Sequence, residues 1–127
     1  MDARGRWLQL LGLLNHMIQE TERPTARKLF QSLGPQRLST AQRQLRLEQQ
    51  RLLAAATRLE VVIEPDAIAQ ATNALTLYDD LVHDYLALAE AYQLSASVAH
   101  QRGETELMAW MNQRARLHVE HSRFLSS

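Results

Sequence analysis

The residues of this chain that could do chemistry are its five histidines and fourteen carboxylates, since it has no cysteine. Three helical-spaced pairs could each share a face: His16 with Glu20, Asp80 with His83, and His118 with His121. Helical bundles can hold two irons with one Glu from each of two helices and a Glu-x-x-His from each of the other two. No Glu-x-x-His occurs here, so we expect no metal site and no cofactor. His118 falls in line with Leu107, Met111, Ala115 and Leu125, which reads as a hydrogen-bonded core histidine. Asp79, Asp80, His83, Ala87 and Glu90 fall on the wet side of their helix.

Arg116 and His121 form an Arg-x4-His spacing, similar to the catalytic motif of the all-helical HEPN ribonucleases, and that resemblance implies RNA cleavage. Those enzymes usually carry a polar residue straight after the Arg, where this chain has Leu117. A step of five also brings two side chains together less well than a step of three or four. The plainer reading puts Arg116 near the helix surface and His121 beside Trp110, Leu117 and Phe124. No Gly-rich phosphate loop, Gly-x-Ser-x-Gly elbow or His-Glu-x-x-His is present. The expectation is a protein that is not an enzyme.

A nucleic-acid role is the alternative. Within residues 37–58, Arg43, Arg46, Arg51 and Arg58 lie opposite a leucine stripe, and guanidinium groups suit phosphate. No aromatic residue interleaves with them to stack a base. Fourteen cations balance fourteen anions, which removes the strong basic footprint of a dedicated nucleic-acid binder. That zero hides a split: residues 1–60 hold ten cations and five anions, and residues 61–127 hold four and nine.

The absence of cysteine excludes a disulfide framework and fits a reducing cytoplasm. Polar Gln9, Asn15 and His16 interrupt the N-terminal apolar run, so no signal peptide is expected. No apolar stretch is long enough to span a membrane. At 127 residues the chain is read as one domain, basic over 1–60 and acidic over 61–127.

With 46% hydrophobic residues and only four Gly and three Pro, the fold class is all-α: an antiparallel bundle of four to five helices with one long central helix. Helices are expected over about 4–21, 25–33 and 39–59, the second closed by Gly34-Pro35 and the third capped by Ser39. Val61 to Ile63 is an extended link. A long helix from Asp66 to about Arg102 follows, then a last one from Glu104 to about Leu125 after Gly103. A break near Leu94–Ser97 is one way to fit the long helix into a compact chain.

The long helix carries an uncharged heptad seam: Ile68, Ala71, Leu75, Tyr78, Val82, Tyr85, Ala89, Tyr92, Ala96 and Ala99. A second stripe, Ala74, Leu77, Leu81, Leu88, Ala91 and Val98, widens its apolar face. The seam suits contact with another chain, so Tyr78, Tyr85, Tyr92, Ala89 and Ala96 are the candidate interface. In physical type the chain resembles small bacterial adaptors, secretion chaperones and assembly subunits. The expected function is a non-catalytic protein-interaction subunit with a protein partner or a second copy of itself.

Overall fold

A computed structural model of the chain describes residues 2–24, 35–75 and 81–126. Among them are five helices: α1 (Ala3–Thr21), α2 (Pro35–Arg58), α3 (Ala67–Ala74), α4 (Leu81–Gln101) and α5 (Thr105–Ser126). No described helix is long and apolar enough to cross a membrane.

Side-chain contacts fix the directions. Gln42 bonds the Thr21 carbonyl near one end of α1, and the Trp7 indole bonds the Leu52 carbonyl near the other, so α1 and α2 run antiparallel. His16 meets Asp84 and Arg6 meets the Leu94 carbonyl, so α4 is also antiparallel to α1. Ser122 donates to the Val82 carbonyl while Tyr92 packs on Trp110, which makes α4 and α5 an antiparallel hairpin. Close packing joins α1 to α2, α3 and α4, and joins α4 to α5. The result is a square of antiparallel neighbours, α1–α2–α5–α4, with α3 laid on α1.

The central helix is α1, not the expected helix over 66–102. Trp7, Leu10, Leu11, Leu14 and Met17 are fully enclosed, and Gly12 and Leu13 are buried too. A helix apolar on nearly every side must sit inside its neighbours. Gly12 lets α3 come close, because a Cβ there would stand 3.2 Å from Ala71 and from the Thr72 amide nitrogen. Thr72 donates to the Ile68 carbonyl and accepts from Asn15, which fastens the crossing.

The expected long helix is two elements in the described residues. α3 stops at Leu75, whose backbone is extended, and the described part of α4 runs from Leu81. The expected break at Leu94–Ser97 is absent. The Ser97 hydroxyl donates to the Leu94 carbonyl within the helix, and that of Ser95 donates across to the Arg6 carbonyl, so neither opens the turn. Pro35 is the first described residue of α2, a place where its missing N–H costs nothing, and Gly34 lies outside the described residues. Ser39 is therefore an exposed residue inside α2 and not its cap. The helix expected over 25–33 lies outside the described residues.

Two helix ends use the same closure. After α4, Gly103 takes a positive φ of 74°, and Glu104 N–H reaches back to the Ala99 carbonyl while Gly103 N–H reaches His100. After α2, Val61 N–H bonds Ala56 and Glu60 N–H bonds Thr57, with Glu60 at φ 56°. A side chain in the left-handed region is strained, and glycine relieves it. Glu60 is exposed, so Glu60→Gly should stabilise the fold by about 0.5–1 kcal/mol, read as a higher denaturant midpoint at unchanged slope.

Candidate functional site

Three of the four bundle helices converge on one carboxylate. Glu48 projects from α2 between Leu45 and Leu52 and is 1% exposed. Its Oε1 accepts from the Tyr92 hydroxyl of α4 at 2.8 Å, and lies 2.6 Å from His118 Nε2 and 3.3 Å from Arg114 Nε of α5. Its Oε2 has no hydrogen-bond partner among the described residues. An ionised carboxylate only accepts, so His118 must carry a proton on Nε2 to bond it. His118 Nδ1 stands 3.2 Å from His121 Nδ1, so one of the two rings donates to the other there.

Aromatic rings hold this chain in place. Tyr85 and Tyr92, seven residues apart on α4, stack on the His118 ring with centroids at 5.4 and 5.8 Å. Tyr85 also meets His121 edge-on at 5.3 Å, and Tyr92 meets Trp110 edge-on at 5.9 Å. The guanidinium of Arg51 covers the outer side of Trp110 at 4.4 Å. Burial, reinforced by the Glu48 charge, pushes both Tyr85 and Tyr92 well above the usual phenol range, so both remain neutral donors. His121 moves the other way: partial burial disfavours its cation, and His118 and Arg114 oppose it further.

At His121 the network opens to solvent. A pocket of about 260 Å³ lies between α2 and α5, lined by Arg37, Ala41 and Gln44 on one side and Arg114, Phe124 and Leu125 on the other, with Tyr85 and His121 also bordering it. α2 and α5 are not among the closely packed helix pairs of the described residues; long side chains span the gap. Arg37 lies over the Phe124 ring at 5.4 Å, and Phe124 is 48% exposed. No family model, curated protein or solved structure matches this chain.

The candidate interface is turned inward. Tyr85, Ala89, Tyr92 and Ala96 are each at most 4% exposed, because the seam of α4 packs against α5 and α1 within the same molecule. Ala89, Tyr92 and Ala96 therefore cannot meet a partner in this fold, Tyr85 reaches only the border of the α2/α5 pocket, and Tyr78 lies outside the described residues. Of the arginines proposed for nucleic acid, three have partners: Arg46 pairs with Glu22 at 2.9 Å, Arg51 covers Trp110, and Arg58 reaches Glu104 at 3.8 Å. Arg43 is exposed and borders a shallow hollow with Gln36, Ser39 and Thr40.

The pairs considered for metal separate. His16 faces Asp84 at 3.4 Å while Glu20 holds Arg23 at 2.6 Å. His83 and Glu90 are exposed, and Asp79 and Asp80 lie outside the described residues. No group of three or more metal-ligating side chains is assembled among the described residues. Arg116 is exposed and does not border the pocket; Arg114, two residues earlier, shares it with His121.

Sequence reasoning missed Glu48, Arg114 and Arg37. For Glu48 a signal existed: it stands three after Leu45 and four before Leu52, in the middle of an apolar stripe. Asp84 and Ser95 occupy the same kind of gap, between Leu81 and Leu88 and between Ala91 and Val98, and both are buried.

Proposed function

We propose that this chain is a non-catalytic interaction subunit, a helical scaffold that holds a partner at the cleft between α2 and α5. The observation that carries this reading is the cleft itself. It is a concave, solvent-open place where a half-exposed aromatic ring, Phe124, stands beside Leu125 and Ala41 with arginines on either side. Aromatic and arginine side chains around an apolar hollow are what partner-binding surfaces concentrate.

The chemistry-bearing groups support holding over turnover. Both nitrogens of His118 are engaged, and Glu48 directs three donors onto one oxygen far from solvent. Leu47, Leu53, Leu86 and Leu94 add exposed apolar surface on α2 and α4, which suits a chain that works inside an assembly. The partner is a second copy of the chain or another protein, and a reducing bacterial cytoplasm is the compartment that a cysteine-free chain of this type fits.

The test is a photoreactive phenylalanine analogue in place of Phe124, irradiated in cells of the source organism. We expect one dominant adduct, either a dimer of the chain or one heterologous protein. The same analogue at exposed Glu90, on the outer side of α4, should give none. No adduct from position 124, or equal adducts from both, overturns the reading.

A further inference from the structure

We propose that the α2/α5 pocket recognises a partner segment bearing one carboxylate next to an aromatic or aliphatic side chain. The inference rests on the cleft being the docking place and adds what the cleft selects.

Size sets the first bound. About 260 Å³ admits one side chain with its attached acid group and is too small for a nucleotide or a whole helix. The lining sets the second. Ala41, Phe124, Leu125 and the ring of Tyr85 provide an apolar wall, so the occupant brings an apolar group. Charge sets the third. Arg37 and Arg114 both border the pocket, no carboxylate lines it among the described residues, and Glu48 behind it is buried and already accepts from Tyr92, His118 and Arg114. Two guanidinium groups against one engaged carboxylate leave a net positive pocket, and a single carboxylate balances it.

The experiment is calorimetric titration of the folded chain with the dipeptide acetyl-Ala-Phe carrying a free C-terminal carboxylate. Its C-terminal amide and phenylacetate are titrated in parallel. We expect the free acid to bind at least about tenfold more tightly than the amide. Arg37→Gln, at an exposed position, should weaken the acid selectively while the helical signal is unchanged. Equal binding of acid and amide overturns the inference. Phenylacetate binding as tightly as the peptide assigns the pocket to a free organic acid and overturns the partner-segment assignment. If neither acid binds while the adduct at position 124 still forms, the inference fails and the docking reading stands.

Discussion

Replacing Glu48 with leucine should cost about 4 kcal/mol of folding free energy, although the new side chain suits the stripe it joins. The reason lies in what the substitution leaves behind. Tyr92, His118 and Arg114 all direct a donor at Oε1, and the first two have no solvent to turn to, at 0% and 1% exposure. Leucine recovers some apolar burial but strands both donors, and each stranded buried donor costs roughly 1–3 kcal/mol. Arg114 contributes less, because its exposed portion can swing into the α2/α5 cleft. The combined variant Glu48→Leu, Tyr92→Phe, His118→Leu removes the stranded donors along with the acceptor, and it should regain more than half of the loss. Urea unfolding of the single and combined variants checks this. A single variant as stable as the parent would show that the network carries no stability, and an unrecovered triple variant would place the cost in packing instead.

Trp7→Ala should lose a similar amount, about 4 kcal/mol, for a different reason. Trp7 is fully enclosed at the α1–α2 contact, and its indole N–H bonds the Leu52 carbonyl at 3.0 Å. Truncation opens a cavity lined by α1 and α2, and helices cannot close over it without moving Leu10, Leu11 and Leu14, which are themselves fully packed. Domains of ordinary stability have only roughly 5–15 kcal/mol in hand, so the variant should sit close to its unfolding threshold at 37 °C. Trp110, the only other tryptophan, remains as a fluorescent reporter of unfolding in this variant. Loss below about 1 kcal/mol would contradict the enclosure of Trp7.

The features legible in the sequence were those set by local physics. The ends of α1 and α5, the stop at Gly103 and the all-α class follow from proline, glycine and helical spacing within a few residues. The extent of the seam on α4 was legible too, but not what covers it. Periodicity shows that Tyr85 and Tyr92 share a face; whether that face meets the same chain or another depends on which helices lie beside it. The central place of α1 was obscured because all-round burial becomes evident only when three helices are set against it. The pocket was the least accessible. It joins Arg37 to Phe124 and Glu48 to His118, residues far apart in sequence, and no local pattern brings them together. What the sequence did contain was the interruption of apolar stripes at Glu48, Asp84 and Ser95, each a polar side chain where spacing calls for an apolar one.

The inward setting of Tyr85 and Tyr92 also makes the bundle its own alkaline indicator. Their phenols ionise in the folded chain only well above the usual range, while in the unfolded chain they ionise near pH 10. The folded state therefore holds protons that the unfolded state gives up, so stability is intact below about pH 10 and drains away as pH rises beyond it. In a Tyr78→Phe background, the near-ultraviolet absorbance of phenolate should stay flat through the range where free tyrosine titrates. It should then climb in one cooperative step together with loss of helical dichroism, so that the colour change reports the opening of the fold and not the acidity of either ring.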